Sequence, residues 1–134
     1  MNHSTAEIKN IEGNLVMGIN NEGKEMPTWE FSVLISAWGI ISTVTDISKF
    51  MLAQFDSANN EINLTKKKTA EVNENMDVGL AWHILKTPSK NNWFWHNGRT
   101  GGYTKSMVLD ETTKNGIIIL SNVSAFDSKM VNID

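Results

Sequence analysis

Residues 93–110 read WFWHNGRTGGYTKSMVLD, and the way this stretch folds decides the architecture. Successive side chains on a strand point to opposite faces, so WFWHNG places Phe94 and His96 on one face and Trp93 and Trp95 on the other. Gly98 has no side chain to fill space, so whatever lies beside it approaches the backbone closely. Gly101-Gly102 permits a sharp turn with positive φ, and TKSMVLD then returns as a second strand. An edge strand that ends in this way leaves N–H groups to donate to a ligand oxygen, which is how an oxyanion or carboxylate site is built.

Working outward, VGLAWHILK alternates Val78, Leu80, Trp82 and Ile84 against Gly79, Ala81, His83 and Leu85, and predicts one strand before a turn over residues 88–92. NGIIILSN is apolar on both faces, which predicts a central strand entered through a tight turn at Asn115-Gly116. Upstream, NLVMGINNEGKEMP predicts a hairpin turning over residues 20–23, and TWEFSVLISAWGIIST a buried connection. In STVTDISKFMLAQF, Thr43 and Asp46 form a capping pattern ahead of an apolar face of Val44, Ile47, Phe50, Met51 and Phe55. EINLTKKKTAEVNEN predicts a shorter surface helix, and SAFDSKMVNID a helix capped by Ser124. The expected class is α+β, an antiparallel sheet of three to five strands with flanking helices. Residues 1–12 are expected to be loose and residues 13–134 to form a single domain.

Composition narrows the function. A net charge of -3 opposes binding to a phosphate backbone, so no nucleic-acid partner is expected. Lys66, Lys67 and Lys68 are the one basic run and read as a solvated helix face. The absence of cysteine removes thiolate nucleophiles and Cys-ligated zinc,. Three scattered histidines give no metal-ligand spacing, so neither metal nor cofactor is expected. No apolar run approaches the roughly 18 residues of a membrane span, and MNHSTAEIKN lacks the charged and apolar regions of an export signal.

The stretch His96-Asn97-Gly98-Arg99-Thr100-Gly101-Gly102-Tyr103 resembles the third motif of the serine β-lactamase and penicillin-binding-protein superfamily, in its class C β-lactamase, esterase and D-aminopeptidase branch. There a Lys-Thr-Gly or His-x-Gly is often followed by x-Thr-Gly-Gly and an aromatic. EGKEMPTWEF, GIISTVTDISKF and NGIIILSN are similar to other segments of the family, in the family's order, over about residues 13–126. The resemblance implies a partial β-lactamase/transpeptidase-like fold and acyl-hydrolase chemistry. It matches His96 to the Lys or His that lines the catalytic cleft, and the backbone N–H of Arg99 to an oxyanion-hole donor. Gly98 would keep the strand open to an acyl substrate. Asn97 and Thr100 would contact a substrate carboxylate or support the strand, and Gly101, Gly102 and Tyr103 complete the substrate-binding set. The Arg99 side chain departs from the small residue common there; it suits bidentate carboxylate binding or covers the cleft. Read from the residues alone, His96 is equally a packed strand histidine.

The family's nucleophile lies in Ser-x-x-Lys, where one helical turn sets the amine beside the hydroxyl. No serine here has lysine three residues on. Thr65-Lys66-Lys67-Lys68 is a loosened version, set in a polar segment that would not depress a lysine pKa. The second motif, Tyr-x-Asn or Ser-x-Asn, counts as absent too, since the sole tyrosine, Tyr103, precedes Thr104-Lys105. The sequence thus resembles the C-terminal half of such a hydrolase, expected to be inactive alone. Its expected partners are a small acyl or peptide ligand and either an N-terminal half on another chain or a second copy pairing as a homodimer. The alternatives are a non-catalytic binding module for a peptidoglycan-type peptide or carboxylate ligand, and a sugar-binding face built on Trp82, Trp93 and Trp95.

Overall fold

A computed structural model of the chain describes residues 1–11, 13–29, 34–89 and 91–124. Its backbone gathers into two units: Met1–Asn2, Thr43–Asn97 and Ser106–Ile119 make up the first, while His3–Ser42, Gly98–Lys105 and the segment from Leu120 make up the second.

The second unit begins with a turn of 3₁₀ helix at Ile8–Asn10. The N-terminal residues, expected to be loose, are tied down here: Thr5 and Ile41 exchange backbone hydrogen bonds of 3.0 and 2.8 Å. The hairpin over residues 15–27 survives only as a tight loop with the single bridge Ile19↔Glu25. The Asn20 side chain holds that loop by accepting from the amides of Glu22 and Lys24, and Gly23 turns it at φ 77°, as an Asx-Gly turn requires. In the expected buried connection, residues 30–33 lie outside the described residues. The remainder contains one helical turn, α1 (Ile35–Trp38), and Trp29, Leu34, Trp38 and Ile40 are about half exposed, so the prediction of burial is corrected.

In the first unit, α2 (Val44–Ala53) starts where its cap predicts, with Thr43 Oγ1 accepting from the Asp46 amide. Met51 and Phe55 pack on the core while Val44 and Phe50 stay exposed, so the buried stripe is narrower than the pattern suggested. The second predicted helix is cut short. α3 (Asn60–Thr65) is capped by Asn59, which accepts from Ile62, and the chain after it becomes strand β1 (Lys68–Asn73).

Five more strands follow: β2 (Met76–Gly79), β3 (His83–Lys86), β4 (Asn92–Thr100), β5 (Tyr103–Asp110) and β6 (Asn115–Ser121). They form one sheet in the order β1-β2-β3-β4-β5-β6, one strand beyond the predicted range. VGLAWHILK is two antiparallel strands rather than one, with Val78 opposite His83 and Met76 opposite Leu85. The chain reverses because the Gly79 amide donates to the Trp82 carbonyl and Ala81 donates to Thr65. β6 is a further correction: it ends the sheet order instead of lying at its centre, and Ile117 and Ile119 are 64% and 57% exposed. The reversal before it uses Lys114 at φ 57°, with Asn115 already in the strand. The helix predicted after Ser124 falls on residues outside the described set.

The buried apolar core comprises Trp82, Ile84, Phe94 and Leu109, joined by Met51, Phe55 and Met107 at its margin. Phe94 thus faces inward as the alternation required. Beside this core sits the largest departure from the sequence reading. Lys66 belongs to no solvated face: it is 7% exposed, with its ammonium bonded to the Gln54 carbonyl and the Glu111 carboxylate and lying 5.9 Å from the centre of the Phe94 ring. Lys67 is exposed, and Lys68 opens β1.

Candidate functional site

β4 carries the candidate residues, and its pairing changes along its length. The ladder with β3 runs from Lys86↔Asn92 to His83↔Trp95 and stops there, because β3 begins at His83. The ladder with β3 therefore does not extend to residues 96–100. Among the described residues, the β3 pairing of β4 covers its first four residues and not the rest.

His96, the first residue past the ladder, is exposed. Trp82 meets its ring edge-on, with centroids 6.3 Å apart and planes at 90°, and the His83 ring lies 6.5 Å away. His83 packs against Trp95 at 5.2 Å, while Trp95 Nε1 donates to Ser106 Oγ at 3.1 Å. Trp82 is core, whereas Trp93 and Trp95 are half-buried. Asn97, also half-buried, closes the part of the motif that belongs to the first unit.

Gly98 to Tyr103 belong to the second unit. At Gly98 the stem of Lys105 runs across the position of an absent side chain, with Cε 3.1 Å from where a Cβ would sit. Arg99 is exposed, and Nη1 donates to the Ser124 carbonyl at 3.4 Å; no carboxylate among the described residues pairs with it. Gly102 has φ 81°, as the turn demanded. A Cβ there would lie 2.7 Å from Gly18 Cα, so two backbones touch with no space for a side chain. Tyr103 donates its hydroxyl to the Val16 carbonyl at 2.7 Å, and Thr104 donates to that of Val123. The tyrosine is therefore engaged in structure.

Next to this turn the second unit forms a pocket of about 410 Å³, lined among others by Met26, Trp29, Arg99, Gly101, Gly102 and Ser124. Met26 and Trp29 were not candidates from sequence; their only signal was position in a segment similar to the family. Ser124 was read only as a helix cap.

The residues nearest to a nucleophile-base pair are occupied elsewhere. Thr65 donates its hydroxyl to the Ile62 carbonyl at 2.6 Å. Lys68 lies 2.8 Å from Asp77 and 3.3 Å from Glu71, and its hydrogen bond to Asp77 holds its pKa above the ordinary lysine value, the wrong direction for a general base. The same bond, with help from Lys86 at 3.0 Å, holds the Asp77 carboxyl below the usual range. Two Ser-x-Asn triplets do occur, correcting the count of the second motif: Ser57-Ala58-Asn59 and Ser89-Lys90-Asn91. Asn59 is consumed as the α3 cap. Ser89 bonds Thr87, whose hydroxyl also donates to the Asn91 carbonyl. Both triplets serve turns.

Comparison with known proteins gives a consistent picture of the fold. The model of the Beta-lactamase family matches residues 4–132. No curated protein matches the chain. Among solved structures, the octameric penicillin-binding protein homologue from Pyrococcus abyssi superposes with a TM-score of 0.77 at 19% identity, over 96% of this chain and 32% of its own. The beta-lactamase/D-alanine carboxypeptidase from Pseudomonas syringae gives 0.80 at 16% identity, over 97% of this chain and 46% of its own. The chain thus spans about a third to a half of the length of these proteins.

Proposed function

Because this chain belongs to the β-lactamase family, we propose that it supplies the third-motif side of an acyl-hydrolase cleft and turns over no substrate by itself. The observation that carries the reading is the end of the β3–β4 ladder at Trp95, which leaves an exposed His96 and the four residues after it beyond the ladder. In this role His96 lines the cleft and orients the base network or a substrate acid group. The Arg99 amide donates to the oxygen on which negative charge develops, and Gly98 admits the acyl group past the strand.

The attacking hydroxyl and its lysine have to come from outside these 134 residues. Binding and an oxyanion hole alone retain roughly 10³–10⁴-fold over water in serine proteases, and one donor of that hole, the nucleophile's own amide, is missing as well. The test is incubation of the isolated chain with a chromogenic cephalosporin and with a p-nitrophenyl ester. The expected rate equals that of buffer and of His96→Ala. Turnover that survives His96→Ala but disappears on mutating a serine or threonine of this chain would overturn the proposal.

Self-association belongs to the same reading. β6 ends the sheet order, carries no charge or proline between Asn115 and Ser121, and exposes Ile117 and Ile119 on one face. Such a strand pairs readily with another chain, and the octameric assembly of one structural neighbour supports a second copy as the partner.

A further inference from the structure

We propose that Asn115 is a site of spontaneous deamidation, at which the entry of β6 changes from an amide to an aspartyl or isoaspartyl carboxylate. The sequence holds two Asn-Gly pairs, Asn97-Gly98 and Asn115-Gly116, and the fold treats them differently. Neither pair makes a turn. The first lies within β4, and the reversal before β6 is made by Lys114 at φ 57°, with Asn115 already in the strand.

Gly116 is required for packing instead. A Cβ there would press on Met51 Sδ and lie 2.9 Å from the Val108 carbonyl oxygen, so a larger residue fits only by displacing its neighbours. The same missing side chain leaves the Gly116 amide nitrogen unshielded toward the carboxamide before it. Asn115 is exposed and opens a strand that ends the sheet order beside β5, where local opening takes little free energy. Once the strand end opens, the Gly116 nitrogen attacks the side-chain carbonyl carbon of Asn115. Its proton passes to solvent, the bond from that carbon to the side-chain nitrogen breaks, and ammonia departs from a five-membered succinimide. Water then opens either carbonyl of the ring, giving aspartate or, with the main chain rerouted through the side chain, isoaspartate. The isoaspartyl form adds a methylene to the backbone at the first residue of β6, so the amides after it leave register with β5. Both products place a negative charge on a strand that has none between Asn115 and Ser121. At the other pair Asn97 is half-buried, β4 lies between β3 and β5 in the sheet order, and the Lys105 stem covers Gly98, with Cε 3.1 Å from the position of a Cβ. There the same chemistry is held back.

This inference uses neither the cleft nor a substrate, so it stands apart from the hydrolase reading. The full chain is stored in mildly alkaline buffer, folded and in urea. Both pairs are followed by peptide mapping with mass spectrometry, and isoaspartate is marked with an isoaspartyl methyltransferase. In the folded chain Asn115 should convert roughly tenfold faster than Asn97, the ratio given by a difference of about 1.4 kcal/mol in local opening. In urea the two rates should converge. The stored chain should exchange the amide hydrogens of Ile117 to Ile119 faster than the fresh one. Asn115→Gln, an exposed substitution whose longer side chain disfavours the five-membered ring, should keep those amides protected through the same storage. Asn97 converting as fast as Asn115 in the folded chain, Asn115 persisting as the amide while isoaspartate forms elsewhere, or equal loss of protection in stored Asn115→Gln would each overturn it.

Discussion

Lys66 and Glu111 offer the sharpest test of how this chain is held together. The Lys66 side chain is 5% exposed and that of Glu111 40%, so removing one partner is not equivalent to removing the other. Glu111→Ala strands an ammonium beside Phe94, with the Gln54 carbonyl its one remaining acceptor among the described residues. Breaking a fully buried pair in this manner costs about 3–5 kcal/mol; water reaching the space left by the half-exposed carboxylate lowers this to about 2 kcal/mol. Lys66→Met removes the buried charge itself. It leaves the Gln54 carbonyl without a donor, a loss of about 1–3 kcal/mol, but sets an apolar chain against Phe94 at about 0.8 kcal/mol per methylene. The net loss is about 1 kcal/mol. In urea unfolding, Glu111→Ala should therefore be the more damaging change, and its thermal midpoint should fall by roughly 7 °C for a chain of this size. In a Lys66→Met background, Glu111→Ala should cost under about 0.5 kcal/mol, since no buried charge remains to be stranded. A larger loss for Lys66→Met, or an equal cost of Glu111→Ala in both backgrounds, would refute the burial argument.

Four other outcomes are expected. Gly102→Ala should destabilise by about 2 kcal/mol or more, because the residue needs φ 81° and a Cβ would strike the Gly18 backbone,; Gly101→Ala should chiefly displace Trp29, visible as a shift of its indole signal. Asp77 has a folded-state pKa depressed by the Lys68 hydrogen bond. Its contribution is thus present above the unfolded value of about 3.9 and disappears as pH falls through the lower folded value; Asp77→Asn should flatten the stability-versus-pH curve below about pH 4 and, because the same bond raises the Lys68 pKa, also lessen the loss of stability as pH rises beyond the ordinary lysine value. Ile119→Lys on the exposed edge strand should abolish concentration-dependent sedimentation while changing the unfolding free energy by less than about 0.5 kcal/mol.

The sequence by itself determined whatever is settled within a few residues. Thr43 caps α2 because its hydroxyl meets an amide three positions on, and Gly23 and Gly102 mark turns because only glycine adopts their φ without strain,. The His96–Tyr103 motif was legible too, and the family follows from residue order along one chain. Tertiary structure decided what depends on distant partners. Residues 68–73 are exposed throughout, so no hydrophobic period marks them as strand; pairing with β2 and the Lys68–Asp77 bond do. The alternation of VGLAWHILK continues through its turn, which rests on a hydrogen bond to Thr65 that no local pattern announces. Lys66 looks like its neighbours in sequence, and only the convergence of Gln54, Phe94 and Glu111 buries it. The end of the ladder before His96 has the same origin: another strand, β3, begins at His83, opposite Trp95.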